Sequence, residues 1–237
     1  MAAKSFSLGS ALQLAAKPRA SYLLWVPAAA LLGFAIAAFF AGVLQLPRGI
    51  YLLPYVVLVS LFLYGFVRWS HIDVLDTLLR HWVWGLILAV PLGFFTVYNI
   101  LSQPSSPRAE GLQLVFDLIW LGIVYGLIDA LLLSVLPVLA TWKAFAALGW
   151  TTHWWGKIVV SILAIFASIL VTAAYHLGYP EYRVAGGLSG PLVGNTAMSL
   201  GYLVAANPFA AMLSHMAMHI AGVLQGPASV LQLPPHY

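Results

Sequence analysis

The segment His215-Met-Ala-Met-His219 carries the clearest chemical pattern in the chain. Two histidines four apart on a helix lie on one face, one turn above the other. Both imidazoles can then reach one point, and that point suits a metal ion. The zinc-peptidase pattern HExxH sets a glutamate base directly after the first histidine. Here Met216 holds that position, so the pair is bare. The plainer reading is two neutral histidines hydrogen-bonded across helices to backbone or to Asn195. Haem ligation fits less well, because two histidines on one helix do not flank one iron.

Asp129 lies in the apolar run IVYGLIDALLLSVLP. A lone carboxylate there needs a cation, a metal or several donors, or it takes up a proton. Asp117 is twelve positions earlier, about 120° away around a helix, so the two aspartates do not form a carboxylate pair. His176 ends another apolar run, in TAAYHLGYPEYR, and Glu181 and Arg183 follow it. Gly and Pro stop the helix there. The returning chain can carry Glu181 and Arg183 over the mouth of a bundle. Span arithmetic sets Asp129, His215 and His219 at matching depth, with His176 nearer the outer face.

The elements that position these groups follow from composition. The chain has 237 residues, 62% hydrophobic and only 7% charged, with a mean hydropathy of +0.97. Soluble domains are about 45–50% apolar and about 25% charged. The expectation is an all-α, polytopic transmembrane helical bundle, a single integral membrane domain in a lipid bilayer. Soluble enzyme folds and disordered regulators are excluded. The basic residues are scattered through loops without a basic run, which argues against nucleic acid as a partner. No cysteine is present, so disulfides and thiolate metal sites are excluded.

A span needs about 20 apolar residues. Seven stretches qualify or come close, and six to eight are compatible with the pattern: 22–41, 50–67, 82–100, 112–140, 158–176, 192–206 and 208–224. Residues 1–21 read as a basic cytoplasmic tail, 22–110 as scaffold spans, and 111–226 as the functional half. With the N-terminus inside, Lys4, Lys17, Arg19, Arg68, Arg80, Lys143 and Lys157 gather on the inner side. Arg48, Arg108 and Arg183 lie outside, and the positive-inside rule favours this orientation. The pattern suits a prokaryotic plasma membrane. Trp25, Trp69, Trp82, Trp84, Trp150, Trp154, Trp155, Tyr175 and Tyr179 read as interface anchors. The stretch 69–81, WSHIDVLDTLLRH, reads as a short amphipathic interfacial helix with Asp76 paired to Arg80.

The C-terminal half resembles the CPBP family of CAAX-protease and bacteriocin-processing intramembrane endopeptidases. The likeness lies in YGLIDALLLSVLP, VTAAYHLGYP and GYLVAANPFAAMLSHMAMHIAGVLQG, roughly residues 120–224. They are similar to the stretches around the family's EExxxR, FxxxH and HxxxN/D motifs. The resemblance implies a helical membrane core that cleaves peptide bonds. Asp129 then stands near the glutamates, His176 in the second motif, and His215 with His219 in the last. The chain departs from the pattern at Ala130, Ser134 and Thr172, and in ending the last motif on His219.

These readings combine into an intramembrane, metal-dependent, peptidase-like hydrolase. His215, His219 and His176 are the candidate ligands of Zn²⁺. Asp129 or Glu181 is the candidate base, and Arg183 or Asn195 the candidate oxyanion partner. The substrate class is a membrane-embedded peptide or a lipid-like molecule. The alternative is a non-catalytic transporter or accessory subunit on a protease-like scaffold. A structural subunit would satisfy each buried polar group locally and leave no cavity joining them.

Overall fold

The computed structural model describes residues 19–236. Lys4, Lys17 and most of the tail expected over 1–21 lie outside the described residues. The described residues are built on helices joined by short turns and loops: α1 (Ser21–Val43), α2 (Arg48–Ser70), α3 (Val74–Leu79), α4 (Trp82–Leu101), α5 (Gly111–Ala146), α6 (Trp154–Gly178), α7 (Ser189–Ala205) and α8 (Phe209–Gln225). Five of these, α1, α2, α4, α5 and α6, are long and apolar enough to cross a membrane. The protein is an all-helical, multi-spanning integral membrane protein. The shorter helices α7 and α8 occupy the two remaining stretches expected to span.

The apolar helices divide by burial. An apolar 18-residue window of α5 is 72% buried, whereas those of the other four are 28–33% buried. A helix apolar on all sides is either wrapped by protein or faces lipid. Helix α5 is therefore the axis of the bundle. Leu61, Val90, Phe94 and Phe166 on the outer helices turn outward, as lipid-facing side chains do. Helix α8 packs along α4 and against α5, and α6 packs along α1, α7 and the second half of α5.

Helix α5 runs further than the sequence pattern suggests, through Lys143 to Ala146. Asp129 therefore stands near its middle. Its coil is also irregular: Leu118–Val124 and Ala130–Val135 are π-helical turns. Widened turns of this kind recur at functional sites, because they redirect side chains within a continuous helix. They bracket Tyr125–Asp129.

Close approach of α5 to α8 depends on glycine. A Cβ at Gly126 would lie 2.8 Å from Met216 Cα, and one at Gly122 would lie 2.9 Å from Ile220 Cγ1. The pair forms a small-xxx-small stripe, which lets membrane helices touch backbone to backbone. Asn207 fixes the α7–α8 corner. Its Oδ1 accepts from Phe209 N–H at 2.9 Å, and its Nδ2 donates to Leu78 O and Arg80 O at 2.8 and 2.7 Å.

Of the stretch expected as an interfacial helix over 69–81, Trp69 and Ser70 end α2 and Val74–Leu79 is helical as α3. Asp73 caps it by accepting from Asp76 N–H at 2.9 Å, and Arg80 meets Asp76 at 2.7 Å. Trp82, Trp84, Trp150, Trp154 and Trp155 are exposed near helix ends, as interface anchors should be. Tyr175 and Tyr179 differ from that expectation, since both are fully buried. Their hydroxyls find partners inside the bundle, which removes the reason to seek the headgroup layer.

Candidate metal centre

His215 and His219 project from one face of α8 toward the middle of α5. Their rings are 5.1 Å apart, and Asp129 meets them there. Asp129 Oδ2 lies 3.9 Å from His215 Nε2 and 3.7 Å from His219 Nε2. One ligand atom from each residue falls within 4.8 Å of the others, and all three residues are buried. The cluster is geometrically compatible with a divalent metal. Ligands about 2.0–2.2 Å from a tetrahedral centre stand about 3.3–3.5 Å apart, so small side-chain adjustments suffice.

The hydrogen bonds around the cluster set its chemistry. His219 Nδ1 is 3.2 Å from Leu121 O. A carbonyl only accepts, so Nδ1 carries the proton and Nε2 of the neutral ring keeps its lone pair. That lone pair faces a carboxylate oxygen. Two acceptors facing each other repel unless a cation or proton lies between them. His215 Nδ1 and His219 Nε2 have no hydrogen-bond partner among the described residues. An unsatisfied buried polar atom costs about 1–3 kcal/mol. Metal-binding histidines typically anchor their other nitrogen on a carbonyl or carboxylate, as His219 does.

Asp129 has its own support. Tyr55 O–H donates to Asp129 Oδ1, which leaves Oδ2 to the histidines. Tyr125 packs edge-on against His219 with ring centres 4.7 Å apart. Its hydroxyl joins those of Tyr175 at 2.8 Å and Tyr179 at 3.3 Å, and Tyr179 donates to Tyr51 at 2.6 Å. A buried tyrosine network therefore backs the carboxylate from α2, α5 and α6.

A cavity of about 500 Å³ opens beside the cluster. Asp129, His176, His215, His219, Asn195 and Thr172 all line it. His176 thus faces the same space as the cluster but stands outside the close group of three. His176 Nδ1 lies 2.8 Å from Thr172 O, so its proton sits on Nδ1 and Nε2 is the basic nitrogen.

Asn195 reaches the cavity with its amide already committed. Its Oδ1 accepts from Ser134 at 2.5 Å, and its Nδ2 donates to Ser168 Oγ at 2.6 Å and Leu133 O at 3.3 Å. It joins α7 to α5 and α6. Glu181 and Arg183 are not brought to the cluster and do not line the cavity. Glu181 Oε1 pairs with His236 Nδ1 at 2.8 Å. Arg183 donates to Leu177 O and Gly178 O at 2.9 and 3.0 Å, closing the end of α6. Asp117 accepts from Gln113 on the same helix at 2.8 Å.

Sequence reading missed Tyr55, Tyr125 and Thr172. Thr172 Oγ1 is buried without a partner among the described residues. Two signals were available. Tyr51/Tyr55 and Tyr175/Tyr179 are four apart, each pair marking one helix face. Gly122-xxx-Gly126 marks the contact face of α5 just before Asp129. Comparison with protein-family models, with curated proteins and with solved structures finds no match to this chain. The centre therefore rests on its own geometry.

Proposed function

We propose that this protein is an intramembrane metal-dependent hydrolase of peptidase-like chemistry. The observation that carries the reading is the His219–Asp129 contact, a histidine lone pair facing a carboxylate oxygen in a buried site. Asp129, His215 and His219 form a two-histidine, one-carboxylate donor set, and Zn²⁺ is the ion it suits, with a fourth position left to water. When bound, such an ion lowers the pKa of its water and polarises a carbonyl.

The chain's own residues supply the rest. With Asp129 spent as ligand, His176 is the base. Its Nε2 accepts a proton from water as the water oxygen forms a bond to the scissile carbonyl carbon. The C–N bond then breaks, and the same proton passes to the departing nitrogen. Thr172 O–H, without a partner among the described residues, lies in the cavity as a donor for the developing oxyanion. Asn195 and Tyr55 are positioning residues. The resemblance to CPBP endopeptidases supports the reaction class, with the histidine of the last motif position adding a ligand.

On this reading α7 and α8 complete seven spans, the N-terminus is cytoplasmic, and the cavity mouth faces the outer side of a prokaryotic plasma membrane. The accessory-subunit alternative is disfavoured by a cavity that joins unsatisfied nitrogens rather than leaving each polar group locally paired.

The test is metal content of the detergent-purified protein, beside H215A/H219A. Near-stoichiometric zinc in the wild type, lost in the double variant, is expected. No metal in wild type purified without chelator overturns the reading.

A further inference from the structure

Helices α4 and α7 meet at one end and part at the other. A Cβ at Gly201 would run into the Leu92 side chain of α4, so the two helices touch there. Gly194 and Gly190 lie about 10 Å and about 16 Å back along α7 by helical rise. A Cβ at either one meets nothing within 4 Å. The space left between the helices belongs to the cavity, lined by Phe95 and Asn99 of α4 and by Gly190, Val193 and Gly194 of α7. Phe95 is 45% exposed and Val193 60%. The cavity therefore opens sideways, on the apolar surface of the bundle, as well as at its rim.

Inward of this opening the apolar walls are Leu133, Met198 and Met218. Methionine is unbranched and adapts to the shape it packs against. Among the described residues, no lysine, arginine or glutamate lines the cavity. Its polar side chains are mostly spent. Thr96 O–H donates to Gly93 O and Ser214 O at 3.0 and 3.3 Å, Ser189 O–H to Gly186 O at 2.7 Å, and Tyr182 O–H to Leu231 O. Asn195 is held by Ser134 and Ser168, and Gln103 bonds Gln232 at the rim at 2.9 Å. Among the described residues, the buried polar side-chain atoms of this lining without a partner are Thr172 Oγ1, His215 Nδ1 and His219 Nε2. The first can donate to a ligand, and the other two belong to the centre.

Such walls discriminate between occupants. An extended peptide carries a donor and an acceptor on nearly every residue, and each one unpaired away from water is costly. A helical segment pairs its own backbone, but it is about 10–12 Å across with side chains and its carbonyls are already bonded. An apolar chain bearing one carbonyl asks for polar contact at one point, and the cavity offers it at one point.

We propose that the α4–α7 cleft is an acyl-chain subsite, which admits from the bilayer the chain of an N-acyl amide and brings its carbonyl to the centre. The subsite deepens the hydrolase reading by naming the group on the carbonyl side of the scissile bond. It rests on that reading for cleavage, though not for binding of the chain. Cleavage adds water across the C–N bond and releases a fatty acid and an amine. The amine half lies toward the carboxamides of Asn99, Gln103 and Gln232 at the rim, which suits an amino acid or peptide.

The probe is palmitic acid N-methylamide carrying a mid-chain diazirine, photolysed with the full-length protein in phosphatidylcholine nanodiscs and mapped by mass spectrometry. Leu133 and Met198 are the diagnostic positions, because each is 1% exposed and out of reach of bulk lipid. Their labelling should saturate and fall at least tenfold under excess unmodified amide. Labelling that does not saturate overturns the proposal, as does equal displacement by an uncharged leucine–alanine peptide without an acyl chain. That competition uses the unmodified chain and is free of folding effects. Gly194→Leu fills the open space of the cleft and should lower the same labelling at least tenfold with zinc retained. Labelling at the wild-type level in this variant also overturns the proposal. Saturable labelling of a protein without zinc would leave this inference standing while the hydrolase reading fails, and zinc without saturable labelling the reverse.

Discussion

His219 Nε2 stands 3.7 Å from Asp129 Oδ2 while its Nδ1 proton is committed to Leu121 O. The pair therefore presents two acceptors to one buried point. Replacing Asp129 by Asn removes the charge but keeps the shape. Zinc affinity should fall by at least about 100-fold, beyond the usual 10–100-fold loss for an outer-sphere partner. Competition with a chromogenic chelator reads it directly, and unchanged affinity would remove Asp129 from the ligand set.

Tyr55 acts on the same carboxylate from behind. Tyr55→Phe deletes the hydroxyl that holds Asp129 Oδ1, and the expected loss of metal affinity is about 10–100-fold. The aromatic body remains, so the unfolding midpoint should move little by comparison. A large stability loss with unchanged metal affinity would make Tyr55 merely a core residue.

His176 faces the cavity without joining the three close ligands. His176→Ala should keep zinc near wild-type stoichiometry while lowering peptide hydrolysis about 10²–10⁴-fold, the usual contribution of a general base. Loss of zinc in this variant would return His176 to the ligand set. Glu181→Gln and Arg183→Ala, both away from the cavity, should leave zinc stoichiometry unchanged.

Gly126 sets the distance between the helices that carry the centre. Gly126→Ala brings a Cβ to 2.8 Å from Met216 Cα, a backbone atom that cannot swing aside. A stability loss of about 1–3 kcal/mol is expected from the overpacking, together with weaker zinc binding as α8 moves off α5. Gly194→Ala is the control, because a Cβ there meets nothing within 4 Å. Thermal unfolding of both variants in the same detergent checks the contrast.

Asn195 bridges α5, α6 and α7 through Ser134, Ser168 and Leu133. Asn195→Leu strands the buried Ser134 hydroxyl, whereas Ser168 Oγ keeps Leu133 O and Ser199 Oγ at 2.7 Å each, and about 1–3 kcal/mol of stability should be lost. Restored stability in a variant that also carries Ser134→Ala would identify the loss as an unsatisfied polar group rather than bad packing.

The sequence alone determined the class of the molecule and the location of its chemistry. Apolar content and span length dictate membrane helices, because no other local structure satisfies backbone polar groups in lipid. The i, i+4 spacing of His215 and His219 places both on one face whatever the fold. An isolated Asp129 in an apolar run announces a partner without naming it. Tertiary structure alone decided which groups meet. Asp129 joins His215 and His219 because Gly122 and Gly126 let α5 touch α8, a contact between helices about ninety residues apart in the chain. Tyr55 reaches Asp129 from a helix assigned to scaffold by composition, because apolarity records burial and not which neighbour is buried alongside. Glu181 and Arg183 sit near His176 in sequence, yet the chain turns at Gly178–Tyr179 and spends them on His236 and the end of α6. Short sequence distance constrains where a side chain can go, whereas packing of distant helices decides what it finds there.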